Sequence, residues 1–183
     1  MALGATIYGF AVTLNDADRG VYEALEFRVA RHPSESAEYL LTRVLAWCLE
    51  YTEGLEFSRG GLSDPDAPAL AVRDLTGALQ AWIEVGAPEP ARLHKAAKAA
   101  RRVVVYTHRE VAPLLARLAA DPPHRAQEIE ILAIDPALLA ALVARLERRM
   151  AFDLSVSEGH LYLTLADATI DGAVARHRIG TGA

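Results

Sequence analysis

The sequence predicts a mixed α/β fold in a single domain, with a central mixed β-sheet flanked by helices and extra β-hairpins. Three observations carry this. Strand-like pairs occupy both ends of the chain, and helical and strand-like segments alternate through its middle. No linker, internal repeat or low-complexity tract divides it. A length of 183 residues suits one domain spanning 1–183, with room for a substantial core.

The elements follow in order. ATIYGFAVTL (5–14) and VYEALEFRVA (21–30) flank the turn-rich NDADRG, which predicts a β-hairpin. In the next stretch Pro33 keeps His32 extended, Ser34 is placed to cap a helix, and Glu35 favours its positive end. Ala37, Leu41, Val44, Leu45 and Cys48 then form one helical stripe. GLEFSRG (54–60) reads as a short strand and GLSDPDAP as a loop. Residues 69–86 read as two strands around a type I turn, with Asp74 first and Gly77 fourth. Pro88 and Pro90 open an alanine-rich helix to about residue 101. A strand (102–108), the helix EVAPLLARLAA, the strand IEILAI (129–134) and a capped helix DPALLAALVARLERRM come next. FDLSVS, LYLTLA and TIDGAVARHRI complete the chain as strands.

Composition narrows the function classes. No apolar run approaches the ~18 residues of a membrane span, so no membrane partner is expected. The N-terminus has no basic region before its apolar stretch, and Cys48 is the single cysteine; a cytoplasmic location is the expectation. A net charge of −5 argues against a surface coated for nucleic acid. Two local basic strips remain: His94, Lys95, Lys98, Arg101 and Arg102, and then Arg145, Arg148 and Arg149. Solvated helix faces explain both on charge alone. The six histidines show no zinc-site spacing, and no phosphate-loop or dinucleotide glycine pattern occurs.

One strand carries a candidate site. Along Leu79 to Gly86, Glu84 ends an otherwise strongly apolar segment. If Asp74 and Gly77 close the turn, Glu84 falls opposite position 67, or 66 with a slightly longer turn. Asp66, after Pro65, is then its partner, while Asp74 serves the turn. Glu38 stands at the margin of the first helix's buried stripe and needs a partner there; an arginine or a shared metal would do. Glu35 points further toward solvent. Only two of the 19 basic residues are lysine, and Lys95 and Lys98 both follow this strand.

A helix, strand, hairpin, helix and strand in this order resemble the core of PD-(D/E)XK nucleases, here about residues 34–108. Pro65-Asp66 and Glu84-Val85-Gly86 match its motif, with glycine where that superfamily has lysine. The segments MALGATIYGF, ARHPSES, LAWCLEY, LEFSRGGL and WIEVGAPEPARLHKAAKAA resemble the bacterial YaeQ family, whose fold is similar to that superfamily. The resemblance implies Mg²⁺ or Mn²⁺ held by Asp66, Glu84 and the Val85 carbonyl, for phosphodiester hydrolysis on DNA or RNA. In this reading Lys95, or alternatively Lys98, replaces the absent lysine, and Glu38 holds a metal-bound water. Phosphate contact and strand-end exposure explain Ser58 and Arg59 equally well. The competing expectations are a catalytically inactive descendant that binds nucleic acid through Lys95, Lys98, Arg101 and Arg102, or binds a protein partner, and a purely structural role.

Overall fold

A computed structural model describes residues 4–58 and 66–180. The first hairpin comprises β1 (Thr6–Asp16) and β2 (Val21–Arg31). Strand β1 runs two residues further into the turn than the sequence predicts, because Asn15 and Asp16 still pair with Tyr22 and Val21, where β2 begins as expected. Helix α1 (Ala37–Leu49) follows. Ser36 caps it, its Oγ accepting from the Tyr39 N–H at 3.0 Å, so the expected Ser34 cap is corrected by two residues. Ser34 bonds with His32 instead.

Three short antiparallel strands come next: β3 (Leu55–Phe57), β4 (Leu70–Arg73) and β5 (Leu79–Val85). Asp74 organises the turn between the last two. Its Oδ1 accepts from the Thr76 and Ala78 N–H groups and its Oδ2 from Gln80. Helix α2 (Pro90–Ala99) leads to β6 (Arg102–Thr107), parallel to β5. Helix α3 (Val111–Ala120) then leads to β7 (Glu130–Ile134), parallel to β6.

Helix α4 (Pro136–Val143) starts as predicted, with Asp135 accepting from the Ala137 and Leu138 N–H groups. It does not run on to Met150. Arg149 and Met150 instead begin β8 (Arg149–Ser157), pairing with Gly9 and Phe10 of β1. Sheet pairing here overrides a helix-favouring sequence. Strands β9 (His160–Thr164) and β10 (Thr169–Arg178) finish the chain.

The ten strands among the described residues form one mixed sheet in the order β2-β1-β8-β9-β10-β7-β6-β5-β4-β3. Strand β10 joins the halves, pairing with β9 through its first part and β7 through its second. Helices α1 and α4 pack on one face, where Leu40, Leu41, Val44, Leu45, Leu138 and Leu142 are buried with Ile83, Val104 and Leu154. Helices α2 and α3 cover the other face over the parallel strands, burying Trp82, Val103, Val105 and Ile131. No helix among the described residues is long and apolar enough to cross a membrane.

Helix α4 approaches the sheet closely at Gly172 on β10. A Cβ there would lie 2.8 Å from Leu138 Cβ and 2.9 Å from Asp135 Cβ, atoms that move only with their backbone. Gly172→Val is therefore expected to push α4 off the sheet and destabilise the protein by ~2–3 kcal/mol, measured by urea unfolding. An unchanged unfolding midpoint would contradict this packing.

Candidate functional site

At the carboxyl ends of the parallel strands β5 and β6 the apolar core gives way to charge. Strand β5 has neighbours on both sides, and its alternate residues face different helix layers. Ile83 and Val85 belong to the α1 side, while Trp82 packs among α2 and α3. Glu84 shares the Trp82 side and is only 4% exposed.

A carboxylate so placed requires strong partners. The Trp82 Nε1–H donates to Glu84 Oε2 at 2.9 Å. Arg92, on the first turn of α2, donates from Nε to Oε2 at 2.5 Å and from Nη2 to Oε1 at 3.2 Å. The same Nη2 donates to the Ala67 carbonyl at 2.7 Å, tying the chain ahead of β4 to α2. Three residues further along the helix, Lys95 pairs with Asp66, whose side chain is 75% exposed. The Lys95 hydrogen bond, then its charge, holds the Asp66 carboxyl below the ordinary carboxylate range, and Arg92 adds to this. Two acids and two bases thus converge on one side of α2.

This arrangement corrects the expected fold-back. Leu70 pairs with Ile83 and Ala71 with Trp82. Extending that register would put Ala69 opposite Glu84, two residues from the expected 67 and three beyond Asp66. The bulge between Val72 and Arg73, with the wide turn held by Asp74, produces the shift. Asp66 consequently meets Lys95 of α2, and Glu84 meets Arg92. Pro65 and Arg59 lie outside the described residues.

Glu38 and Glu35 exchange their expected roles. Glu38 is exposed on α1, in the helix layer across the sheet from Glu84. Glu35 is 4% exposed and pairs with the buried Arg43 at 3.1 Å. Because Ser36 is the cap, Glu35 precedes the helix and turns inward, where burial raises its carboxyl above the ordinary value despite Arg43.

Val85 ends β5 beside Tyr106. Gly86 then adopts φ +100°, and a Cβ on it would meet nothing closer than the Tyr39 ring at 3.8 Å. The left-handed backbone, rather than crowding, calls for glycine here. Position 86 has left the strand, so a lysine there would not line up beside Glu84 as the motif requires.

The sequence reading overlooked three neighbours. Arg92 was hidden among many arginines. Tyr39 faces Gly86, and burial, opposed by the Arg43 and Arg92 charges and aided by Glu84 and Glu35, pushes its phenol up to about 12. His108 stands edge-on to Tyr39, with ring centroids 6.2 Å apart, and its buried Nδ1 has no hydrogen-bond partner among the described residues. Ser58 Oγ, just after β3, is likewise buried without one.

The basic strip does not form one surface. Lys95 is held by Asp66, and Arg102 turns to Glu50 and Glu130. Lys98 and Arg101 project into solvent. Among the described residues no group of three or more histidine, cysteine, aspartate or glutamate side chains is arranged to hold a metal. Asp66 and Glu84 supply the hard oxygen donors suited to Mg²⁺ or Mn²⁺, provided their cationic partners let go.

Comparison with known proteins gives a consistent picture. The family model described as YaeQ protein matches residues 1–173. YaeQ of Escherichia coli (strain K12) is 31% identical over 165 residues, covering 90% of this chain and 91% of that protein. YaeQ of Salmonella typhi matches with the same identity and coverage. The crystal structure of YaeQ from Xanthomonas axonopodis pv. citri superposes with a TM-score of 0.87 at 30% identity, covering 96% of this chain and 99% of that one. The Pseudomonas syringae YaeQ crystal structure gives 0.86 at 31% identity, covering 96% of each.

Two outcomes follow from the geometry. Arg92→Ala leaves Glu84 buried without its cation and is expected to cost ~2–4 kcal/mol in urea unfolding, with part recovered by adding Glu84→Gln. A single variant as stable as the parent would show that the pair is dispensable. Burial, then the Arg109 charge, lowers the His108 pKa below the ordinary 6.5, with Glu38 opposing. The folded state therefore binds this proton less readily than the unfolded chain. The stabilising contribution is full above 6.5 and declines as pH falls toward the folded value. An NMR titration should place the His108 midpoint under 6.5 and Arg109→Ala should raise it; a midpoint above 6.5 would contradict the assignment.

Proposed function

The chain belongs to the YaeQ family, and from that premise we propose that it is a metal-dependent, nuclease-like protein acting on phosphodiesters of DNA or RNA. The single observation that carries this reading is the double ion pair on α2. Asp66 with Lys95, and Glu84 with Arg92, form a set of two acids and two bases at the carboxyl ends of parallel strands. Crevices at such strand ends are where open α/β sheets receive ligands.

The set is self-neutralised and ready to exchange partners. A phosphodiester brings negative oxygens for Arg92 and Lys95, and the freed carboxylates are hard-oxygen ligands for Mg²⁺ or Mn²⁺. A bound divalent ion would supply an acidified water and offset charge on the phosphate. Arg92, anchored through Ala67 and stacked 5.7 Å from the Trp82 ring, would orient one phosphate oxygen. Lys95 would stabilise charge growing on another. The order α1, β3-β4-β5, α2, β6 supports the PD-(D/E)XK reading of the core, with its lysine function moved from position 86 to α2.

The test is cleavage of single- and double-stranded DNA and RNA with Mg²⁺ or Mn²⁺. Glu84→Gln, Asp66→Asn and Lys95→Ala should each lower the rate by about 100-fold or more in folded protein. Absence of cleavage with either ion, or full activity in Glu84→Gln, would overturn the catalytic reading.

The bidentate grip of Arg92 on Glu84 favours a second reading, a nuclease-like fold that binds nucleic acid or a protein partner without turnover. Salt-dependent nucleic-acid binding without cleavage, weakened by Lys98→Ala and Arg101→Ala, would select nucleic acid as its partner.

A further inference from the structure

At the opposite end of α1 the two halves of the sheet line an open cavity of about 640 Å³, within the usual range for small-molecule sites. Its apolar wall includes Leu132, Leu161 and Val174. Its polar lining holds four carboxylates, Asp16, Asp18, Glu50 and Glu158, against three guanidinium groups, Arg19, Arg102 and Arg176.

Most of these charges are already committed. Glu50 accepts from Arg102 Nη1 at 2.5 Å and from the Tyr106 hydroxyl at 2.7 Å. Asp18 accepts from the Glu158 and Gly159 N–H groups at 2.7 and 2.9 Å. Arg19 turns to the Leu49 and Tyr51 carbonyls at the end of α1, and Arg176 to Glu130.

Asp16 is different. It is 1% exposed, and its Oδ1 accepts the Arg19 N–H at 3.1 Å. Among the described residues its Oδ2 meets the Arg19 guanidinium at 3.7 Å, an ion pair too long to be a hydrogen bond. Asp16 lines the cavity, and its second oxygen, which takes no hydrogen bond from the described residues, offers an acceptor to a ligand. The ligand that meets both the missing donor and the excess of negative charge is an organic cation with N–H groups, its hydrocarbon portion against the apolar wall.

We propose that this cavity is a binding site for a small aliphatic amine, with its ammonium group held by Asp16. The site is separate from the charges on α2, and each can fail without the other.

The experiment is titration calorimetry of the full chain with putrescine and L-lysine, and with glutarate as the anionic counterpart. Saturable binding of at least one amine, and none of glutarate, is expected. Asp16→Asn should weaken amine binding by about tenfold or more. Val174→Phe, which leaves every lining charge in place, should weaken it similarly by filling the cavity; circular dichroism checks that both variants fold. Failure of both amines to bind, equal binding of glutarate, or undiminished affinity in folded Asp16→Asn or folded Val174→Phe would overturn the proposal.

Discussion

A carboxylate buried on an apolar strand has to be neutralised where it stands, and much of the candidate site follows from how Glu84 is neutralised. Its partner comes from α2, so that helix must begin at the strand end, which Pro90 at its first turn permits. Arg92 then reaches Glu84, the Trp82 ring and the Ala67 carbonyl together. The ion pair therefore fixes a helix, a strand and the approach to β4 relative to one another. It also brings Lys95, one turn along, to the side of α2 where Asp66 is met. Structure and proposed chemistry place opposite demands on Glu84: stability holds it on arginine, and metal binding requires its release.

What could be read from the sequence was whatever local rules determine. The Asp74 turn, the Asp135 cap and the alternation of helices and strands all depend on residues near in sequence. The candidate acids were found because charge at the end of an apolar strand is conspicuous. Their partners were not, since Arg92 has no local mark separating it from other arginines. The register between β4 and β5 depends on a bulge that no residue type announces. Ser34 and Ser36 are both capable caps, and the extension of β2 through Arg31 with an intervening turn decides for the second.

The joining of the two sheet halves was equally hidden. Strand β10 divides its hydrogen bonds between β9 and β7, and Asp18 of the first hairpin binds the turn between β8 and β9. These contacts span most of the chain, and sequence periodicity has no access to such distances. They make one continuous sheet from a parallel centre and two hairpin systems, and the cavity beside Asp16 lies where these systems meet.

The sheet has two unequal ends. Strand β3 closes one with three residues, offering almost no template to another chain, whereas β2 leaves a border eleven residues long. That border carries exposed Glu23, Glu26 and Arg28 among its outward side chains. A neighbouring strand docking there would have to strip water from charges of both signs, so the protein guards itself against fibrillar stacking through side-chain hydration.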